Sequence, residues 1–278
     1  MKIAIVADTH LSTTDTMLIS NWTAAGRWMV ETKPDVCVHL GDITANGVHS
    51  GVELASAHTI IGRLGTETWL VPGNHDIGDH AAGPGATTDT PFDLMRLAEY
   101  RDLFGMDRWS HIVEGWQLIG LNAPLMATDL NEEAIQFNWL DEVLQSANGP
   151  LGVFLHKPLF RDHLEEDIVH TRYVPLAART ELMAMLRRRD LRFVVAGHTH
   201  QVRQIVVEGV EHVWAPSTAF TVPDFRQETI GEKLVGVMLL ELDNNTHRFT
   251  HVIPAGMKAH NLLEFAHIYP ALRLITPP

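Results

Sequence analysis

The sequence predicts an α/β fold of one domain, in which two packed mixed β-sheets carry helices on their outer faces in an α-β-β-α sandwich of four layers. Three observations lead there. Short apolar runs alternate with stretches of helical periodicity in the first part of the chain, hairpin patterns dominate later, and no linker, repeat or low-complexity tract divides the 278 residues. Residues 3–7 form the first apolar run, and residues 18–31 carry apolar side chains at helical spacing until Lys33-Pro34 stops them. Residues 36–40 read as the next strand, 51–64 as the next helix, and 68–71 as a third strand closed by Pro72-Gly73. Helices between successive strands imply βαβ crossovers and a largely parallel sheet. A Gly/Pro-rich loop at 77–91 leads into a further helix, and residues 109–113 and 117–121 flank Glu114-Gly115-Trp116 as a hairpin. A helix is expected at 132–147 with Asn131 as its N-cap, then a strand at 153–155 ending in His156. After a second long loop at 157–178 come a helix at 180–189 and a strand at 193–196 that ends in Gly197-His198-Thr199-His200. Two more hairpins turn at Glu208-Gly209 and Asn244-Asn245, so the later strands are expected to be antiparallel and to make the second sheet.

Composition narrows the function. With 45% hydrophobic and 20% charged residues the chain is an ordinary globular one and not a disordered one. Its 21 basic against 34 acidic residues leave a net charge of −13, which repels a polyphosphate backbone, and no basic run longer than 187–189 compensates; a nucleic-acid partner is disfavoured. Cys37 is the single cysteine and lies in an apolar run, which excludes an intramolecular disulfide, fits a reducing compartment and suggests a small buried hydrophobe. The apolar run before Asp8 is too short for a signal-peptide core, and no stretch approaches the ~18 apolar residues of a membrane span, so a cytoplasmic protein without a membrane partner is expected.

The 17 histidines are the unusual feature, because several stand beside Asp, Asn and Gly at strand ends. The strand-terminal donors are Asp8, His10, Asp42, Asn74, His156, His198 and His200. Ligands of open α/β sheets gather at the carboxyl ends of strands, so these side chains should converge. Carboxylate, imidazole and amide oxygen without thiolate suit manganese, iron or zinc. Seven donors are too many for one ion and suit two divalent ions that share a bridging ligand.

Asp8-Thr9-His10, Gly41-Asp42, Gly73-Asn74-His75-Asp76, His156 and Gly197-His198-Thr199-His200 together resemble the signature of the calcineurin-like metallophosphoesterases over roughly residues 1–220. Within that family the chain is similar to the compact bacterial class III cyclic-nucleotide phosphodiesterases and glycerophosphodiesterases, on its size, Gly41-Asp42-Ile43-Thr44 and Trp214-Ala215-Pro216-Ser217-Thr218. The resemblance implies one ion on Asp8, His10 and His200 and another on Asn74, His156 and His198, with Asp42 bridging. Two divalent ions against Asp8, Asp42 and a bridging hydroxide leave a positive centre in an acidic protein. It further implies in-line attack of that hydroxide on a small soluble phosphodiester, a 3′,5′-cyclic nucleotide as the first expectation and a glycerophosphodiester as the second. A phosphomonoester or nuclease activity ranks behind these, and a metal-binding scaffold without turnover last. His75 matches the residue that meets the substrate phosphate and leaving group and is the expected general acid, with Asp76 expected to orient its ring.

Of the remaining histidines, His39, His49, His58, His111, His212, His247, His251, His260 and His267 show no ligand spacing. His80, His163 and His170, with Arg172 and Tyr173, lie in the two long loops that follow metal-bearing strands, where lids are often built. The main domain is expected to span residues 1–256. The apolar tail at 257–278, with Leu262, Phe265, Tyr269 and Leu272 among its side chains, is expected either to pack on that domain or to cover a second copy in a homo-oligomer.

Overall fold

A computed structural model describes residues 1–80, 90–146, 148–168, 170–269 and 272; the centre of the 77–91 loop and most of the last eight residues lie outside the described residues. The strands are β1 (Lys2–Val6), β2 (Val36–His39), β3 (Thr68–Leu70), β4 (Trp109–Val113), β5 (Trp116–Leu121), β6 (Leu151–Leu155), β7 (Leu191–Ala196), β8 (Arg203–Val207), β9 (Val210–Trp214), β10 (Phe220–Thr221), β11 (Val237–Asp243), β12 (Thr246–Val252) and β13 (His260–Asn261). The helices are α1 (Thr16–Thr32), α2 (Gly51–Gly62), the single turn α3 (Asn74–Ile77), α4 (Leu94–Phe104), α5 (Asn131–Leu144) and α6 (Leu176–Leu186).

Two large sheets face one another. The first has the order β12-β11-β1-β2-β3 and the second β4-β5-β6-β7-β9-β8. Period-two alternation explains the layering. Ile3 and Ile5 of β1 and Val36 and Val38 of β2 point inward, where they meet Trp116, Leu118, Phe154, Phe193 and Val195 of the second sheet. The intervening Ala4, Val6 and Cys37 point outward onto Trp22, Ala25 and Met29 of α1 and Ala57 and Ile61 of α2. On the far side, Ile119, Leu121, Val153 and Leu155 pack against Phe137 and Leu140 of α5 and Leu182 and Leu186 of α6. The expected four layers are therefore present. Cys37 is fully buried, and burial pushes its thiol up to about 12, so it acts as a hydrophobe. No helix among the described residues is long and apolar enough to cross a membrane.

The second sheet departs from the antiparallel expectation. β5, β6, β7 and β9 are mutually parallel, and only the edges β4 and β8 run antiparallel to their neighbours. The β11–β12 hairpin does not join that sheet at all: β11 pairs antiparallel with β1, Ile3 opposite Leu240, and widens the first sheet. Buried apolar strands can pair in either direction, and long-range register chooses between them. Asn131 is likewise not the cap of α5; it is the first helical residue after Leu130, and Glu133 reaches back to accept the amide of Asp129, ahead of the helix, at 2.9 Å. α6 begins at Leu176, directly after Pro175, earlier than the expected residue 180.

Candidate metal centre

β1, β2, β6 and β7 are neighbours at the centres of the two facing sheets, and the polar residues that follow each of them meet at one end of the sandwich. Three turns interlock there. The amide of Asp8 donates to the carbonyl of Gly41 at 3.0 Å, that of His10 to Asp42 at 3.0 Å, and that of His198 to the Asp8 carboxylate at 2.9 Å. Asp8, His10, Asp42, His198 and His200 all hold positive φ, between 45° and 66°. Each such residue costs on the order of 1 kcal/mol or more, and clusters of them mark sites where the surroundings impose the conformation. Gly73 lets the α3 turn lie against Asp42: a side-chain carbon at 73 would meet the Asp42 amide and carboxylate, and its Cα at 2.9 Å.

The imidazoles converge on their donor atoms. His10 Nε2 stands 3.2 Å from His200 Nε2, and His156 Nε2 stands 3.0 Å from His198 Nδ1 and 3.1 Å from Asn74 Oδ1. Asp8 Oδ1 lies 3.6 Å from His200 Nε2. The Asp42 carboxylate reaches both sides, 3.9 Å from His10 Nε2 through one oxygen and 3.4 Å from His156 Nε2 through the other. Two groups, Asp8/His10/His200 and Asp42/His156/His198, each keep one donor atom per residue within 4.8 Å of the others, and a third such group is His10/Asp42/His75. The opposite edges of these rings are already satisfied: His156 Nδ1 meets the Leu40 carbonyl at 2.8 Å and His200 Nδ1 the Phe220 carbonyl at 2.7 Å. A carbonyl partner fixes the proton on Nδ1 and leaves the Nε2 lone pair facing inward.

Electrostatics agree with a cation site. Burial drives His10 and His198 well below the usual imidazole range and His200 down to about 4, which keeps these rings neutral and able to ligate. Burial also raises Asp8. Burial alone would lower His156, but Asp42 and Asp8 outweigh it and lift the ring to about 9. Asp42 has its burial penalty outweighed by His156 and His75 and stays well below the carboxylate range. The pull of Asp42 and Asp8 on that ring marks a place where positive charge is favoured, and a divalent ion supplies it more fully. The donor set thus fits metal, and Asn74, Asp8, His10, Asp42, His156, His198 and His200 are the residues that could hold it.

His75 lies at the rim, with its ring 4.8 Å from that of His10 and edge-on to it. Asp76 does not orient it. His75 Nδ1 meets the Ala45 carbonyl at 2.8 Å, while the buried Asp76 carboxylate accepts the amides of Gly73 (2.9 Å), Ile43 (3.2 Å) and Thr44 (2.9 Å) and the Thr44 hydroxyl (2.8 Å). A residue one turn-step from His75 in a short helix points away from it, so Asp76 instead ties the α3 turn to the loop that carries Asp42.

The long-loop residues divide. His80 is buried beside Asp79, with 3.2 Å between ring and carboxylate, and Asp79 pairs with the fully buried Lys157 that follows His156. Sequence reasoning passed over Lys157, whose burial depends on the Asp79 carboxylate 78 residues away and not on a local pattern. Tyr173 is buried against Trp214, whereas His163 is exposed among Glu165 and Glu166. His170 Nδ1 accepts the amide of Arg172 at 2.9 Å. His39, read as ordinary, is buried behind the site, with Nε2 3.0 Å from the Thr9 hydroxyl and Nδ1 3.2 Å from the Gly41 amide. Tyr269 was read only as an apolar tail residue, yet its hydroxyl lies 2.9 Å from His10 Nδ1. No local pattern could have found it, since 259 residues separate the two.

Comparison with known proteins agrees with this geometry. A family model described as calcineurin-like phosphoesterase matches residues 1–202. A protein of Psychrobacter arcticus named "probable cyclic nucleotide phosphodiesterase" is 26% identical over 227 residues, 77% of this chain and 75% of its own length. Among solved structures, a dimetal phosphatase from Danio rerio superposes with a TM-score of 0.62 at 12% identity, covering 90% of this chain and 95% of that one. A purple acid phosphatase from yellow lupin seeds superposes with a TM-score of 0.68 at 12% identity, covering 94% of this chain and 52% of that one. The chain belongs to the calcineurin-like phosphoesterase family, as a metal-dependent phosphoester hydrolase.

Proposed function

We propose that the chain is a dinuclear phosphodiesterase acting on small soluble phosphodiesters, with 3′,5′-cyclic nucleotides as the first substrate class. The observation that carries this reading is the single carboxylate, Asp42, set between an Asp8/His10/His200 group and a His156/His198 group with Asn74 beside it. When bound, two divalent ions polarise water and neutralise charge on phosphoryl oxygens. Manganese, iron and zinc all suit these ligands.

The chain's own groups do the rest. Asp8 and Asp42 draw cations into a protein whose net charge of −13 would otherwise repel a phosphodiester. Backbone partners at Leu40 and Phe220 hold two ligand rings so that little reorganisation accompanies binding. His75 has Nδ1 committed to the Ala45 carbonyl and no hydrogen-bond partner on Nε2 among the described residues, which leaves that atom to hand a proton to the departing alkoxide. Bridging a 3′ and a 5′ oxygen, a cyclic nucleotide leaves an alkoxide that needs such a proton. The Psychrobacter relative's name supports the substrate class, and the acidic surface argues for a small substrate over a nucleic acid. A cytoplasmic location is part of the same proposal.

The test is kcat/KM for 3′,5′-cyclic AMP on manganese-reconstituted protein, with bis(p-nitrophenyl) phosphate as the internal reference. A value equal to or above that of the activated diester supports nucleotide recognition. Turnover of the activated diester alone overturns the substrate class and moves the search to glycerophosphodiesters.

A further inference from the structure

We propose that Tyr269 is a positioning residue for the Asp8/His10/His200 half of the centre, delivered by residues 260–269 acting as a strap across that side of the site. This rests on the two-metal reading above.

The strap is built onto the chain at several independent points. β13 pairs in parallel with β10, Phe220 opposite His260, and Phe220 is the residue whose carbonyl orients His200. The fully buried Asn21 of α1 clamps both segments, donating to the carbonyls of Thr218, Ala219 and Lys258 at 2.9–3.1 Å and accepting the Lys258 amide at 2.9 Å. Asn261 and Glu264 cap the short helical turn that follows, and Phe265 is buried against Phe220 with ring centroids 5.3 Å apart. His267 reaches Asp15 at 2.8 Å, and the Tyr269 amide donates to Phe265 at 3.0 Å. These contacts set the Tyr269 ring edge-on to His10, His75 and Phe220, at centroid separations of 6.1, 5.8 and 6.0 Å, with its hydroxyl on His10 Nδ1.

The consequence is chemical. His156 and His200 have their outer nitrogens held by main-chain carbonyls, but His10 is held by a side-chain hydroxyl. When Nε2 ligates a metal the proton sits on Nδ1, and the Tyr269 hydroxyl oxygen, 2.9 Å away, then accepts that N–H; the bond holds the ring with Nε2 aimed at the space shared with His200 and makes that nitrogen a better donor. Phe220, stacked on His10 at 4.9 Å, holds the ring plane but has no polar atom on its ring to bond Nδ1. Tyr269 lies beyond the 1–202 stretch that the family model matches.

The experiment is Tyr269→Phe in the full-length chain, which keeps the ring and removes the hydroxyl. Metal-free wild type and variant are titrated with Mn²⁺, free ion being followed by electron paramagnetic resonance, and the melting temperature of the metal-free chains is recorded beside it. Asn74→Ala, alone and with Tyr269→Phe, isolates the site on the Asp8 side. The expected result is that one of two dissociation constants rises about 10-fold or more, the other staying within twofold, and that the same rise recurs in the Asn74→Ala background. Both constants within twofold of wild type would overturn the role of Tyr269 and leave the two-metal reading standing. Equal weakening of both together with a lower melting temperature would also overturn it, as a loss of packing. Wild type that binds no Mn²⁺ would overturn both the role and the reading beneath it.

Discussion

Gly73→Ala is the substitution that most sharply separates site geometry from fold stability. Its φ of −108° is open to any residue, so backbone strain does not enter. Space does. The added methyl would overlap the Asp42 amide and carboxylate and stand 2.9 Å from the Asp42 Cα, where carbons at rest keep ~3.5–4 Å. Main chain cannot swing aside like a flexible side chain, so the Asn74 turn and the Asp42 loop must separate by roughly 1 Å. Asp76, on the Asn74 turn, accepts the amides of Ile43 and Thr44 from the Asp42 loop beside that of Gly73 from its own turn, and the two bonds across the segments resist that movement. Overpacking of this kind costs about 1–3 kcal/mol of stability. A displacement of about 1 Å at reacting groups costs on the order of 10²-fold in rate, roughly 2.7 kcal/mol of barrier. The assay is kcat on bis(p-nitrophenyl) phosphate at saturating Mn²⁺, beside urea unfolding of the metal-free protein. The expected outcome is a loss near 10²-fold in kcat with the fold intact. A variant with stability lowered as expected but kcat within threefold of wild type would refute the claim that this close approach sets the site.

Two further outcomes are expected. His75→Ala should reduce turnover of alkyl diesters by ~10²–10⁴-fold while reducing that of nitrophenyl esters far less, because a nitrophenolate leaves without a proton; equal losses would leave only electrostatic stabilisation for His75. His212, buried on β9 against Phe160, is held at about 4 by burial, with Arg187 adding to the effect. Its unfolded value is near 6.5, so below that pH the unfolded chain binds a proton that the folded chain refuses, and stability falls as pH drops from 6.5 toward 4. His212 accounts for about 2 kcal/mol of the difference between pH 8 and pH 5, beside the other buried histidines, and His212→Gln should shrink that difference by roughly this amount in urea unfolding of the metal-free chain; an unchanged pH dependence would contradict the assignment.

The parts of the molecule that were legible in the sequence share a physical cause. An apolar run that breaks abruptly into Asp-Thr-His or Gly-Asn-His-Asp announces both a strand and a donor at its end, because both facts lie within a few residues of each other. That is why β1, β2, β3, β6 and β7 and the seven donors could be named, and why the donors meet. Turns were legible for the same reason: Glu208-Gly209, with φ of 50° and 82°, has the geometry that a two-residue hairpin needs. Sheet membership was not legible. β11 reads as an apolar strand equally suited to either sheet, and its place beside β1 depends on packing Met238 and Leu240 between the sheets, far away in sequence. The neighbours that orient the donors were hidden too. Ala45 and Phe220 act through carbonyls, which no side-chain pattern records, and Tyr269 reaches His10 only because the strap folds back. Asp76 misled because proximity in sequence to His75 suggested contact, while the turn of α3 sends it toward Gly73 and Thr44.

The central claim, two divalent ions sharing Asp42, is tested most directly by counting metal. The purified protein, reconstituted with Mn²⁺ and freed of excess ion, is analysed for elemental metal per chain while turnover of bis(p-nitrophenyl) phosphate is followed through chelation and readdition. The account predicts two ions per chain, turnover lost on chelation and recovered as the second ion returns, and a content near one in Asn74→Ala. Full turnover with one ion or none per chain would contradict it.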